Sequence, residues 1–220
     1  MMEAVVMRMI RLSAMVAVVV GLACVGVAGG EKKREAPAVK AAGTYAAHDF
    51  HEKEHVTIAA EPFEDDTSFF RLPYASHGFM PIRIIITNDR DRALALDEVR
   101  IYFYTAANDK IAAATPEDIQ RRLFSRKSQT TKIPLPAPLP SITIHHKPVD
   151  KKIDEDNEDF GFKSLVVEPH STAAGFLFFD VRDVQEPIFN AATIVVKQLK
   201  SQDKKEEMFG FEIPLSAEKK

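Results

Sequence analysis

The stretch PIRIIITN, residues 81–88, is the clearest indication of the fold class in this sequence. Ile82, Ile84 and Ile86 alternate with other residues, so in an extended chain all three lie on one face. Isoleucine is β-branched and favours strands. Asn88 begins a polar Asn-Asp-Arg-Asp run, which is typical of a turn. The stretch therefore predicts a β-strand with one face in a hydrophobic core.

Similar short segments with a period of two recur along the chain. They are VTIAAEPF (56–63), VRIYFY (99–104), GFLFFDV (175–181), TIVVKQL (193–199) and MFGFEIPL (208–215). The alternation in VRIYFY places Arg100, Tyr102 and Tyr104 on the face opposite its apolar residues. Period-two segments separated by polar turns predict a mainly β fold, an antiparallel β-sandwich.

One short helix is predicted, at residues 116–124. Thr115 is a typical N-cap residue, and Pro116 is favoured in the first helical position. Asp118 completes an acidic version of the capping box. Ile119 and Leu123 lie four residues apart, which places them on the same side of a helix.

The charges of the chain are nearly balanced, with 29 basic and 32 acidic residues among 220 and a formal net charge of −3. Such a balance gives no argument for nucleic acid as a partner. The chain has one cysteine, which excludes an intramolecular disulfide and any multi-cysteine metal site. A core of about 150 residues buries enough surface to be stable without such cross-links.

The N-terminal segment, residues 1–28, has the pattern of a secretory signal peptide. Arg8 and Arg11 precede an apolar run from Leu12 to Val27, and small and then charged residues follow. The run is shorter than the roughly 20 residues of a membrane-spanning helix. The pattern predicts export, and therefore a periplasmic or envelope location.

Two cleavage sites fit this segment. The sequence VGLAC ending at Cys24 resembles the lipobox of bacterial lipoproteins, in which the cysteine becomes the lipid-modified first residue. Gly26, Val27 and Ala28 instead fit the site of ordinary signal peptidase. The first mode would attach the exported chain to a membrane through a lipid anchor at Cys24, whereas the second would remove the cysteine. An uncleaved anchor is a third possibility, and the residues leave all three open.

The remaining chain divides by composition. Residues 29–51 are small and charged, which predicts a flexible tether. Residues 52–216 carry the predicted strands and form the β-sandwich domain, and residues 217–220 are a tail. Within the domain, residues 125–160 have little periodicity and predict a long disordered loop. Its IPLPAPLP stretch at 133–140 favours polyproline II.

The stretch HEKEH at 51–55 matches the H-E-x-x-H signature of zinc metalloproteases. In those hydrolases the two histidines face one metal from a helix, and the glutamate, here Glu52, activates water. The β-branched residues that follow predict a strand, so we interpret HEKEH as a polar lead-in to the first strand. A milder alternative is a metal site of His48, His51 and His55, which share a face if the segment is helical.

Other chemical motifs are weak. The sequence contains no G-x-S-x-G and no Gly-rich phosphate loop. The acidic run DEDNED at 154–159 resembles the start of a calcium loop, but Asp159 occupies the position that requires glycine. We interpret the run as a solvated acidic loop. The sequence predicts neither a cofactor nor an enzyme.

Several segments together resemble a group of bacterial exported proteins with an immunoglobulin-like β-sandwich. The resemblance rests on VTIAAEPF (56–63), the span from GFMPIR to VRIYF (78–103), AATPEDIQRRL (113–123) and STAAGFLFFDV (171–181). It implies the immunoglobulin-like fold and export. It implies no catalytic, cofactor-binding or metal-binding residue.

These observations lead us to expect a non-enzymatic binding or structural module of the bacterial cell envelope. Its partner would be an envelope protein that contacts the loops, an exposed edge strand or the 133–140 stretch. A membrane would be a further partner if Cys24 carries a lipid. The alternative is a histidine-based metal-binding protein that uses His48, His51 and His55.

Overall fold

The part of the chain that the structure describes is mainly β. The computed structural model describes residues 35–63, 68–123, 130–133, 142–145, 149–203 and 206–215. The predicted signal peptide (1–28), Cys24 and the tail (217–220) lie outside this part, so their assignments stay predictions. Among the described residues, no helix is both long and apolar enough to cross a membrane.

The strands and helices have the following bounds in chain order. The strands are β1 (His48–His51), β2 (Val56–Pro62), β3 (Phe79–Asn88), β4 (Leu94–Ala95), β5 (Arg100–Tyr104), β6 (Lys110–Ala112), β7 (Thr130–Ile133), β8 (Ile142–His145), β9 (Val166–Val167), β10 (Ser171–Asp180), β11 (Thr193–Lys197), β12 (Lys200–Ser201) and β13 (Phe211–Pro214). The helices are α1 (Pro116–Leu123) and α2 (Val149–Phe160), with short 3-10 turns at Ala42–Thr44 and Ala75–His77.

The strands form antiparallel sheets. The first sheet has the order β1-β2-β3-β10, and the second has the order β13-β11-β5-β6. A small third sheet has the order β12-β4-β9, and β7 pairs with β8. Each of the six segments predicted from the period of two forms a strand, so this part of the prediction is confirmed.

The main core lies between the first two sheets. Ile82, Ile84 and Ile86 of β3 are fully buried in one cluster with residues of β5, β11 and β13, among them Phe103 and Ile194. Burying each of these side chains contributes about 1.5–3 kcal/mol. The alternation read from PIRIIITN therefore produces a sandwich-like pair of sheets.

The opposite face of the first sheet is also covered. Every residue of β3 is buried, because a second cluster of aromatic and aliphatic side chains packs on that face. It contains Phe69, Phe70, Tyr74, Phe79, Ile119, Ile153, Phe160, Phe176 and Phe178. The segment around residues 68–77 and both helices supply many of these side chains, so the first sheet is the middle of three layers.

Helix α1 confirms the prediction for residues 116–124 to within one residue. The Asp118 N–H donates to Thr115 Oγ1 at 3.2 Å, and the Thr115 N–H donates back to Asp118 Oδ2 at 3.2 Å. This reciprocal pair is the capping box read from the sequence. Ile119 is buried against the first sheet's aromatic layer.

The interpretation of residues 125–160 as a disordered loop is wrong for its last third and also at β7 and β8, which pair with each other. Val149–Phe160 form α2, and Ile153 and Phe160 are buried in the second cluster. The sequence pattern did not indicate this helix, because the charged residue Asp156 occupies a buried position where an apolar residue is expected. Within the polyproline stretch, residues 134–140 lie outside the described part.

The interpretation of residues 29–51 as a flexible tether is wrong from Ala42 onward. Ala42 is fully buried against Ala59 and Ile85, and its backbone N–H donates to Thr87 Oγ1 at 2.8 Å. His48–His51 then form the edge strand of the first sheet. Small residues suit this position because they allow the chain to lie close to the sheet.

Candidate functional site

The HEKEH stretch forms a β-hairpin. His51 ends β1 and is paired with Val56, the first residue of β2, so Glu52–His55 form the connecting turn. His55 adopts a positive φ of 49° to close it. A zinc-hydrolase site needs both histidines on one helix face, and the hairpin does not supply that geometry. Residues 52–55 lead into β2, as interpreted from the sequence, whereas His51 itself belongs to the unpredicted strand β1.

The three candidate metal ligands point to different surroundings. His48 and His51 lie three residues apart in β1, so they project from opposite faces of the strand. The His51 ring stacks on Phe211 with 3.8 Å between centroids, and its Nε2 lies 3.3 Å from Asp49 Oδ2. His55 is in the turn. In the described part of the chain, no three His, Cys, Asp or Glu side chains are grouped to hold a metal ion.

The acidic run at 154–159 lies in α2 and contains a fully buried carboxylate. Asp156 is 0 % exposed. It accepts hydrogen bonds from the Arg71 backbone N–H at 3.0 and 2.9 Å, from Arg71 Nη1 at 2.9 Å and from the Tyr74 hydroxyl at 3.1 Å. Burial raises the pKa of Asp156 and also that of Tyr74.

This buried network has its donors within the chain. Arg71 also pairs with Glu155 at 2.9 Å and Asp159 at 2.7 Å, so one arginine holds three carboxylates of α2. The arrangement ties the helix to the segment around residues 68–77. We assign it a structural role, and the interpretation of DEDNED as a solvated loop is wrong at Asp156.

The strongest candidate for binding lies on the outer surface of the second sheet. Arg100, Tyr102, Lys110 and Lys197 lie there on β5, β6 and β11, and we name these four residues the basic face. Arg100 is directly opposite Lys197 in the strand register. The Lys110 ammonium lies 3.7 Å from the centroid of the Tyr102 ring, a distance suited to a cation–π contact.

The basic face lines a shallow groove of about 410 Å³, together with Gln198, Glu207, Met208 and Gly210. Arg100, Lys110 and Lys197 are all exposed. The arginine and lysine ion pairs found among the described residues involve other cations and none of these three. Within the described part, Arg100, Lys110 and Lys197 therefore form no direct ion pair, although Glu207 lines the same groove.

The pKa of the Tyr102 phenol reflects the positive charge of the groove. Hydrogen bonding from Arg100 lowers the pKa of the Tyr102 phenol below its ordinary value of 10.0, and Lys110 lowers it further. A lowered phenol pKa means that negative charge is favoured at this point. Guanidinium, ammonium and hydroxyl groups together provide hydrogen-bond donors for an anion. The groove can hold a carboxylate or a phosphate group.

Part of the basic face could be predicted from the sequence. The alternation in VRIYFY placed Arg100, Tyr102 and Tyr104 on the polar side of a strand, and the structure confirms that side as the outer one. Lys110 and Lys197 carried no such signal, because their positions depend on how β6 and β11 pair with β5. Register between distant strands is not a local property of the sequence.

The chain was also compared with known proteins. No protein family, curated protein or solved structure matched it. The candidate site therefore depends on its own geometry, and the resemblance to exported immunoglobulin-like proteins stays a prediction.

Proposed function

We propose that the chain is an exported binding module of the cell envelope, and that its basic face holds an anionic group of the partner. The signal-peptide pattern of residues 1–28 supports export. Two four-stranded antiparallel sheets that share a core support an immunoglobulin-like sandwich as the framework. Such frameworks position a binding surface without taking part in chemistry.

The observation that carries the proposal is the pairing of Arg100 with Lys197. Like charges directly opposite each other on neighbouring strands destabilise a sheet. Lys110 adds a third cation to the same groove. An anion bound between these cations would attract all of them and offset their mutual repulsion. Binding would therefore restore the stability that the free protein loses to this repulsion.

The lipobox-like sequence VGLAC ending at Cys24 supports a lipid anchor as part of this proposal. The module would then act on partners at the membrane surface.

Export and anchoring are tested together in a bacterial host that is fed labelled palmitate. We expect label in the wild-type protein and none in Cys24→Ala, with both proteins recovered outside the cytoplasm. An exported protein without label would reject the anchor and leave the binding proposal standing. A chain retained in the cytoplasm at full length would reject the export proposal.

Binding is tested by calorimetry at low ionic strength with three probes: polyglutamate, inorganic phosphate and phosphatidylglycerol vesicles. We expect at least one probe to bind, and the double variant Arg100→Gln/Lys197→Gln to weaken that binding at least tenfold. The matched control Lys53→Gln/Arg121→Gln removes two exposed cations elsewhere and should bind like the wild type. Failure of all three probes, or equal losses in both double variants, would reject the basic face as a site.

A further inference from the structure

We infer that the basic face binds a polypeptide segment of mixed charge, with acidic residues at its centre and basic residues on its flanks. This inference rests on the proposed function and names the partner's chemistry. It is drawn from the charges that border the groove and from an exposed aromatic residue beside it.

Two carboxylates border the three cations. Glu207 lines the groove itself. Glu212 of β13 is exposed and is paired with Val195, which in turn is paired with Tyr102, so Glu212 lies on the same face of the sheet. A dense polyanion, or a uniformly anionic lipid surface, would still be attracted by the three cations but would bind more weakly, because both carboxylates repel it. A peptide with acidic centre and basic flanks would match the whole pattern.

An apolar contact lies next to these charges. Phe209 is 79 % exposed, the most exposed of the large apolar side chains among the described residues. Its neighbours Met208 and Gly210 both line the groove. Aromatic residues, including phenylalanine, are enriched at the cores of protein–protein interfaces. The partner segment therefore also offers an apolar residue to Phe209.

The test uses two peptides of the same composition and opposite charge order. The first has central Glu-Glu flanked on each side by Phe and then Lys, and the second exchanges the Glu and Lys positions. Binding of each to the exported protein is measured by calorimetry, alongside phosphatidylglycerol vesicles and inorganic phosphate. We expect the first peptide to bind at least tenfold more tightly than the second.

Three variants assign that preference to the groove. Arg100→Gln/Lys197→Gln should abolish the difference between the peptides, and Phe209→Ala should weaken the first peptide several-fold. The control Lys53→Gln/Arg121→Gln should change neither. Circular dichroism and thermal unfolding verify that each variant is folded.

The remaining outcomes separate this inference from the proposed function. Equal binding of the two peptides, or Arg100- and Lys197-dependent binding of vesicles or phosphate without the peptide preference, would overturn the mixed-charge partner and leave an anion site. No binding of any probe would overturn both.

Discussion

Asp156 and Arg71 are joined by backbone and side-chain hydrogen bonds across 85 residues of sequence. The Arg71 N–H reaches both carboxylate oxygens, and its guanidinium reaches one of them. The Tyr74 hydroxyl supplies a further donor. A charged residue is thus accommodated on the inner side of α2 because its partners are fixed in a neighbouring segment.

Removing this carboxylate should destabilise the domain strongly. In Asp156→Ala, the Arg71 N–H and the Tyr74 hydroxyl lose their acceptor inside the protein, and we expect the free energy of unfolding to fall by about 3–5 kcal/mol. Urea denaturation measures the change. The control Asp154→Ala removes an exposed carboxylate from the same helix and should stay within about 0.5 kcal/mol of the wild type. Equal effects of the two substitutions would contradict the structural role of Asp156.

Gly175 of β10 should not tolerate a side chain. A Cβ at this position would overlap the backbone of Gly161 and Phe162, which runs alongside the strand. We expect Gly175→Ala to destabilise the domain by about 1–3 kcal/mol, as overpacking does. In the control Gly43→Ala, the added Cβ would meet only Thr57 Cγ2, at 4.0 Å. Thermal unfolding of both variants measures the contrast, and a neutral Gly175→Ala would show that residues 161–162 lie elsewhere.

The Tyr102 phenol reports the positive potential of the basic face. Since Arg100 is the main cause of its lowered pKa, Arg100→Gln should raise that pKa back toward 10.0. The difference in ultraviolet absorbance between wild type and Tyr102→Phe, followed from pH 7 to 12, isolates this phenol. Arg121→Gln, on a distant helix, should leave its titration unchanged. An unchanged Tyr102 pKa in Arg100→Gln would contradict the hydrogen bond between Arg100 and Tyr102.

The like-charge pair on the second sheet should cost stability in the free protein. Lys197→Gln removes the repulsion with Arg100, so we expect the free energy of unfolding to rise by less than about 1 kcal/mol while anion binding weakens. Gains in stability with loss of binding are typical of residues kept for function. Raising the salt concentration should reduce the difference by screening. A variant that loses both stability and binding would indicate a structural role for Lys197.

Lowering the pH should remove the stability that the α1 capping box contributes to the domain. Hydrogen bonding from the Thr115 N–H lowers the pKa of Asp118 in the folded protein below its ordinary value of 3.8. Because the pKa of Asp118 is lower in the folded than in the unfolded protein, its carboxylate stabilises the fold. This contribution is fully present above about pH 4 and is lost as the pH falls through the pKa of the folded protein. The melting temperatures of wild type and Asp118→Asn should therefore differ at pH 6 and converge toward pH 2. Glu117→Gln, in the same helical turn, controls for loss of charge, and a difference that grows on acidification would refute the cap.

The strands with alternating apolar residues and the capped helix α1 can be predicted from local sequence patterns alone. β3 and α1 could be read directly, because the period of two in PIRIIITN and the Thr115–Asp118 cap act over a few residues. Three other features depend on contacts between segments that are distant in sequence. Helix α2 depends on donors from Arg71 and Tyr74, which are distant in sequence, to bury Asp156. Strand β1 pairs with β2 at the edge of the first sheet, and Ala42 before it is buried against that sheet. The basic face exists only because β6 and β11 pair with β5 in one register, which brings Lys110 and Lys197 beside Arg100. Local patterns encode local geometry, whereas burial of charge and the meeting of like charges depend on which distant segments become neighbours.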